Sequence, residues 1–194
     1  SSIIFVSDTL YSDIDSALIA LQQYSILHSR TMIFNSAEKV LNTMNQVLKT
    51  SRLSGSSVKS ACVIISSDGN FTYSNASFNP LIILDSEAGK VNEVETAGIP
   101  LGVEMNYRYT MTSAKLREGA IGILYSNGLI SASNSAGEIF TPDRIKSVVA
   151  RFSRQNPSII TREIYRELKH FTDGKELLND ISVIVFKKVK IADE

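Results

Sequence analysis

Hydrophobic spacing changes four times along this 194-residue chain, and the order of those changes limits the folds open to it. From Ile14 to about His28, the residues Ile14, Ala17, Leu18, Leu21 and Tyr24 recur every three to four positions, the spacing of one helix face. A second helix is expected over about Ala37 to Lys49, with Ser36 as N-cap and Val40, Leu41, Met44, Val47 and Leu48 as its apolar stripe. Ser51 to Ser57 reads as a loop. The pattern then shortens to that of strands. "ACVIIS" and "FTYSNA" flank the turn Ser67-Asp68-Gly69-Asn70, and "LIILD" and "VNEVE" flank Glu87-Ala88-Gly89-Lys90, two hairpin signals. "AGIPLGV" is a loop, "YRYTMTSAKL" a further strand, "REGA" a turn and "IGILY" a buried strand. Helical spacing returns after Thr141-Pro142, a cap followed by proline at the first helical position, with Ile145, Val148, Val149 and Phe152 on one side. Ser158 is expected to cap the last helix, with Ile160, Ile164, Leu168 and Phe171 inward. One strand precedes all of this (Ile3 to Val6) and one closes it, "ISVIVFKKV". Strand, two helices, about six strands, two helices, strand: the order predicts an α+β domain with helices outside antiparallel sheets.

The length suits one domain spanning residues 1–194. Lys+Arg and Asp+Glu both number 20, so no basic excess points to nucleic acid. No apolar run approaches the roughly 20 residues that span a bilayer. The single cysteine, Cys62, excludes an internal disulfide and a Cys-rich zinc site, and its place in "SACVIIS" reads as a core thiol. "SSIIFVSD" has no basic start, so no signal peptide is read and a cytoplasmic location is the default expectation. The chain starts inside a strand-like run without Met, and is read as a piece of a longer protein.

Candidate chemistry lies where apolar strands meet polar residues. Asp8 ends the first strand, Asn127 follows "IGILY", and Asn179-Asp180 precedes the last strand. Should those strands lie side by side, oxygen ligands gather at one sheet end, a setting for Mg²⁺ or Mn²⁺ and for metal-assisted phosphoester hydrolysis. Strand ends also carry Asp and Asn simply because these residues start turns. His28 and His170 each lie near a helix C-terminus, where a histidine is favourable to the helix dipole. With Cys62 they make no recognisable triad. Tyr107 and Tyr109 read as packing residues, and the lysines of "FKKVKIADE" as a solvated strand edge.

Five segments, in order, resemble the metal-dependent protein phosphatase superfamily (type 2C), in the bacterial branch typified by SpoIIE and RsbU. "FVSDTLYSDIDSALIAL" is similar to the family's strand-Asp-x-x-Gly-x-Gly-x-x-Ala-Ala-helix segment, and "FTYSNASFNPLIIL" to its Y-x-N-A-G-H-N-P hairpin. "AGIPLGV" resembles G-x-P-L-G, and "LREGAIGILYSNGLISASNSAGEIFTPDRI" resembles L-x-x-G-D-x-L-x-L-Y-T-D-G-L-x-E-A-x-N-x-x-G-E-x-F-G-x-x-R-L. "NDISVIVFK" resembles the closing D-D-x-T-x-x-V. The resemblance implies a layered α-β-β-α fold, two antiparallel sheets between helix pairs. It also implies a binuclear Mn²⁺ or Mg²⁺ centre that dephosphorylates phosphoserine or phosphothreonine on a protein, often an anti-sigma-factor antagonist.

The departures fall on the chemistry. The family's early metal-binding Asp matches Asp8, and the second Asp of its closing motif matches Asp180. The Asp of T-D-G matches Asn127, and the first Asp of D-D-x-T matches Asn179. Two motif glycines match Tyr11 and Asp13, the Asp of G-D matches Ala120, and G-H matches Ser77-Phe78. The family's first strand, which carries a further ligand, has no counterpart in the chain; its absence predicts an exposed sheet edge, covered by an upstream region or another chain. At ~4 Å and an effective dielectric near 20, a pair of unit charges interacts by about 4 kcal/mol. An Asn offers a carbonyl oxygen without that charge, so two Asp-to-Asn differences weigh against a tight two-ion site.

Two readings follow. In the first, the chain is a degenerate phosphatase domain that binds no metal tightly. It acts as a protein-binding or regulatory module for a signalling partner or an attached sensory domain, with a homodimer as one arrangement. In the alternative, it is an active Mn²⁺- or Mg²⁺-dependent phosphatase on an anti-sigma-factor antagonist.

Overall fold

A computed structural model of the chain describes residues 1–9, 14–30, 33–51, 57–85 and 87–189. In chain order its elements are β1 (Ser2–Thr9), α1 (Ile14–Arg30), α2 (Ala37–Thr50), β2 (Val58–Ile65), β3 (Asn70–Ala76), β4 (Leu81–Asp85), β5 (Lys90–Val94), β6 (Thr112–Lys115), β7 (Ile121–Tyr125), α3 (Asn127–Ser131), α4 (Pro142–Arg151), α5 (Pro157–Thr172) and β8 (Val183–Lys187). They fall into two compact units: Ser1–Phe78 with Glu95–Lys115, and Asn79–Val94 with Leu116–Glu194. The first has one antiparallel sheet with α1 and α2, the second one antiparallel sheet with α3, α4 and α5, the α+β class expected from the alternating periods.

In the first unit the strand order is β1-β2-β3-β6. β1 runs antiparallel to β2 from Ser2 opposite Ile65 to Thr9 opposite Val58. Among the described residues it is an outer strand of its sheet. The β2–β3 hairpin closes as its turn residues predict. Ser66 N–H donates to the Asn70 carbonyl at 2.9 Å, and Gly69 takes a φ of 89°, which a glycine adopts without strain. α2 lays Ala37, Val40, Leu41, Met44 and Leu48 into a core with Val58, Cys62 and Ile64. Burial, and after it the nearby Glu38 carboxylate, push the Cys62 thiol up and leave it unreactive.

Helix α1 forms as its spacing predicts and turns the regular stripe outward. The stripe Ile14, Leu18, Leu21 and Tyr24 is exposed, and the helix buries Ile19 and Gln23 instead, with Ile26 and Leu27 partly covered. The reason is that α1 carries apolar residues on both sides, so spacing alone defines a face without saying which one meets the core. One expectation is corrected at "YRYTMTSAKL", of which Thr112–Lys115 is strand. Tyr107 and Tyr109 precede it and pack edge to face, with ring centroids 4.9 Å apart, and the Tyr109 hydroxyl donates to the Ile99 carbonyl at 3.0 Å. This is packing, though not on a strand.

The second unit has strand order β5-β4-β7-β8. β7 is buried at every residue and pairs with β4 and β8. Gly122 faces Phe186, whose ring occupies the space a Cβ would take, 2.1 Å from the nearest ring carbon. α4 and α5 cover this sheet with Ile145, Val148, Val149, Ile160, Ile164, Leu168 and Phe171. α5 starts earlier than expected. Asn156, not Ser158, is the N-cap: its side chain accepts from Ile159 N–H at 3.0 Å, with Pro157 at the first helical position. The terminal lysines are also more than a solvated edge, since Lys187 donates to the carbonyls of Ser153 and Gln155 at 2.9 and 3.1 Å. No helix among the described residues is long and apolar enough to cross a membrane.

Candidate functional site

β7 delivers Ser126, Asn127 and Gly128 to its own end. Asn127 opens the short helix α3, with extended Ser126 as N-cap residue. Ser126 is buried and continues the β7–β8 pairing past Tyr125 and Val183. Its N–H donates to the Ser182 carbonyl at 2.9 Å, and its Oγ accepts from Ser182 N–H at 2.9 Å. The same Oγ donates to the Asp180 carbonyl at 3.5 Å.

Gly128 explains why this corner is so close. A Cβ built on it would lie 2.0 Å from the Asp180 carbonyl oxygen and 3.4 Å from the Asn179 Cβ, so only glycine admits the Asn179-Asp180 segment. Asn179 donates its amide to Ser131 Oγ at 3.3 Å, and Ser131 Oγ donates to the Gly128 carbonyl at 3.3 Å. Asn127, Asn179 and Asp180 are therefore gathered at one end of the second sheet, all exposed. Asp8 belongs to the first unit, next to last in β1, half-buried and opposite Lys59. Tyr11 and Asp13 lie outside the described residues. Sequence reasoning missed Ser126, Ser131 and Ser182. The signal for Ser126 and Ser182 was a polar residue beside a strand end, which gives no hint of partner; Ser131, the last residue of α3, had none.

The other departures have distinct local effects. Ser77 has a φ of 61°, in the left-handed region that glycine tolerates, at a position where the resembled motif has glycine. The turn holds because Asn75 clasps it: Phe78 N–H donates to Asn75 Oδ1 at 2.6 Å, and Asn75 Nδ2 donates to the Phe78 carbonyl at 2.9 Å and to the Tyr73 hydroxyl at 3.0 Å. Phe78 is buried. Ala120 is buried in the turn before β7, its carbonyl accepting from Lys188 N–H at 2.9 Å.

Motif positions that build the scaffold are kept. Asn79 donates to the Tyr125 carbonyl at 3.0 Å. Asn134 Oδ1 accepts from Ala136 and Glu138 N–H at 3.1 and 2.9 Å, closing a loop in which Gly137 has a φ of 82°. Phe140 is fully buried. His28 and His170 sit in the last turns of α1 and α5; His28 stacks on Tyr24 with centroids 5.9 Å apart.

The donor chemistry can be tested against the two divalent ions that the resemblance implies. Two such ions bring four positive charges, and the second unit offers one carboxylate, Asp180, and two neutral amides. Asn179 already points an N–H₂ donor at Ser131, which a carboxylate could not do. No group of three His, Cys, Asp or Glu among the described residues is placed to hold a metal. The described donors of the second unit do not by themselves fit a two-ion centre.

Comparison with known proteins agrees with the architecture. Protein IcfG of Synechocystis is 32% identical over 123 residues, 63% of this chain and 19% of that protein. Phosphoserine phosphatase RsbU of Bacillus subtilis is 23% identical over 118 residues, 61% of this chain and 35% of that protein. The chain therefore spans well under half the length of either relative. The SiaA-PP2C domain of Pseudomonas aeruginosa superposes with a TM-score of 0.82 over 95% of this chain and 75% of that one, at 17% identity, which establishes a shared fold. The sequence model described as Stage II sporulation protein E matches residues 1–189, and the chain belongs to the SpoIIE family, on a type 2C phosphatase fold.

Proposed function

We propose that this is a degenerate phosphatase domain, a regulatory or protein-binding module in bacterial signalling rather than a metal-dependent hydrolase. The observation that carries the reading is the division within the motifs. Residues that shape the scaffold (Tyr73, Asn75, Asn79, Tyr125, Gly128, Asn134, Phe140) keep their packing and hydrogen bonds. Asn127 and Asn179, which would supply charge to a cation, are neutral. A site under selection for hydrolysis keeps its charges; a fold kept for recognition needs only its shape. The partner class is a protein, such as an anti-sigma-factor antagonist or an attached sensory domain.

The test is turnover by the full-length protein. p-Nitrophenyl phosphate and a phosphoserine-bearing protein are offered in Mn²⁺ and in Mg²⁺, beside an active type 2C phosphatase. No metal-dependent phosphate release is expected. Release that requires the ion and is lost on Asp180→Ala sinks the reading. It would favour the alternative, for which the retained carboxylates Asp8 and Asp180 speak: an active serine/threonine phosphatase with weakened ion binding.

A further inference from the structure

The outward side of α2 is the floor of a groove whose charge is of one sign. Lys39, Thr43, Gln46 and Thr50 recur at the spacing of one helix face, a polar stripe about 16 Å long at 1.5 Å per residue. Two adjoining hollows of about 430 and 320 Å³ lie along it and share Arg30, Thr43 and Gln46. Lys39 and Arg108 line the smaller one. Three cations from three segments therefore line one groove: the last turn of α1, the first turn of α2 and the stretch before β6. None of the three is in an ion pair among the described residues. No carboxylate lines either hollow. Glu38, the acid next to Lys39, turns aside to accept from Ser36 Oγ at 2.7 Å.

The walls are fixed by hydrogen bonds of the chain itself. Two asparagines of α2 clamp one of them. Asn45 Nδ2 donates to the Glu104 carbonyl at 2.8 Å and its Oδ1 accepts from Gly102 N–H at 2.8 Å, while Asn42 Oδ1 accepts from Tyr109 N–H at 3.2 Å. These bonds hold the stretch that carries Met105, Asn106 and Arg108. On the other side, Ile33 and Phe34 N–H donate to the Arg30 carbonyl at 2.9 and 3.3 Å, and Lys39 Nζ donates to Asn35 Oδ1 at 2.8 Å. A groove held in this way spares a ligand much of the ordering cost that opposes binding. Ile33 and Met105 are exposed, one in each hollow.

We infer that this groove docks an acidic peptide segment of a protein partner. Charge sets the class: three cations without compensating carboxylates attract a segment rich in Asp and Glu. Length sets the size, since about 16 Å takes about five residues of extended chain. The uncharged lining sets the rest. Thr43, Gln46 and Asn106 offer hydrogen-bonding groups to a peptide backbone, and Ile33 and Met105 offer contact to apolar side chains between the acids. Nucleic acid fits less well: the chain has no net charge, and Phe34, the one ring lining the groove, is buried. The inference rests on the reading of the chain as a protein-binding module for the nature of its partner, and uses none of Asp8, Asn127, Asn179 and Asp180.

The experiment is fluorescence anisotropy of the metal-free full-length protein with a fluorescein-labelled Asp-Leu-Glu-Leu-Asp peptide. Saturable binding at submillimolar concentration is expected, weakening as salt is raised, and a Ser-Leu-Ser-Leu-Ser peptide should not bind. Arg30→Glu/Arg108→Glu should raise the dissociation constant at least about tenfold. Arg154→Glu/Lys169→Glu, which changes the net charge equally but lies in the second unit, should leave it unchanged. Circular dichroism checks that the variants fold, and Arg30→Gln/Arg108→Gln serves should the charge reversal fail to do so. A carbodiimide then joins a bound carboxylate to the nearest amine, and the mass of the peptide is expected on Lys39 Nζ. Absence of binding, equal loss in the two charge-reversed variants, no adduct on Lys39, or tighter binding of oligothymidylate than of the peptide overturns the inference. With no metal in the assay, such a failure leaves the turnover test of the domain standing, and metal-dependent turnover would not mimic it.

Discussion

Restoring charge at the end of β7 should convert this protein from indifferent to responsive toward manganese. The perturbation is Asn127→Asp with Asn179→Asp. A unit negative charge 4 Å from a divalent ion gains about 8 kcal/mol at an effective dielectric of 20 and about 2 kcal/mol at that of water. Both positions are exposed, so the lower figure applies. Two restored charges then give about 4 kcal/mol, roughly a thousandfold in affinity. Without metal the variant should lose stability. Three adjacent carboxylates repel by up to about 1 kcal/mol, and the loss of the Asn179 to Ser131 hydrogen bond costs about 1 kcal/mol more. The assay is the denaturation midpoint of native and variant protein with and without millimolar Mn²⁺. The variant should begin lower and rise with Mn²⁺, while the native protein stays put. A variant that is destabilised yet unresponsive to Mn²⁺ refutes the assignment of these two positions to a cation site.

Three further outcomes are expected. Gly128→Ala must push the Asn179-Asp180 segment away from a Cβ placed 2.0 Å from a backbone oxygen, costing about 2–3 kcal/mol in chemical denaturation; a change under about 0.5 kcal/mol contradicts the close approach. Asn156→Ala removes the side-chain cap of α5 and should cost about 1 kcal/mol, with Asn156→Asp retaining most of it. Asp85 is held below the usual carboxylate range chiefly by the Ala88 N–H, helped by Glu87 N–H and Arg117 and opposed by partial desolvation. Its contribution is fully present above the unfolded pKa of about 3.9 and is lost as pH falls through the lower folded value, so Asp85→Asn should flatten the acid limb of the stability profile of the β4–β5 hairpin.

Secondary structure was legible where one physical signal dominated. The turn at Ser67 to Asn70 and the buried run of β7 were read correctly because glycine placement and an unbroken apolar run admit few alternatives. The orientation of α1 was not, because a helix apolar on both sides carries no instruction about which face the core takes. The cap of α5 was misplaced by two residues: Asn156 and Ser158 are both good caps, and Pro157 at the first helical position decides for Asn156. At the candidate site the residue identities were readable, but not their mutual placement. That placement depends on Ser126 and Ser182 exchanging hydrogen bonds and on the absent Cβ of Gly128, pairings between residues more than fifty positions apart. Ser77 is a further case: its left-handed backbone is sustained by Asn75, which sequence alone does not reveal.

The most direct measurement is a calorimetric titration of the full-length native protein with Mn²⁺. With Asp180 the one carboxylate among Asn127, Asn179 and Asp180, the expected trace is dilution heat without saturation through millimolar ion. Saturable uptake of two ions per chain at micromolar concentration would contradict the account.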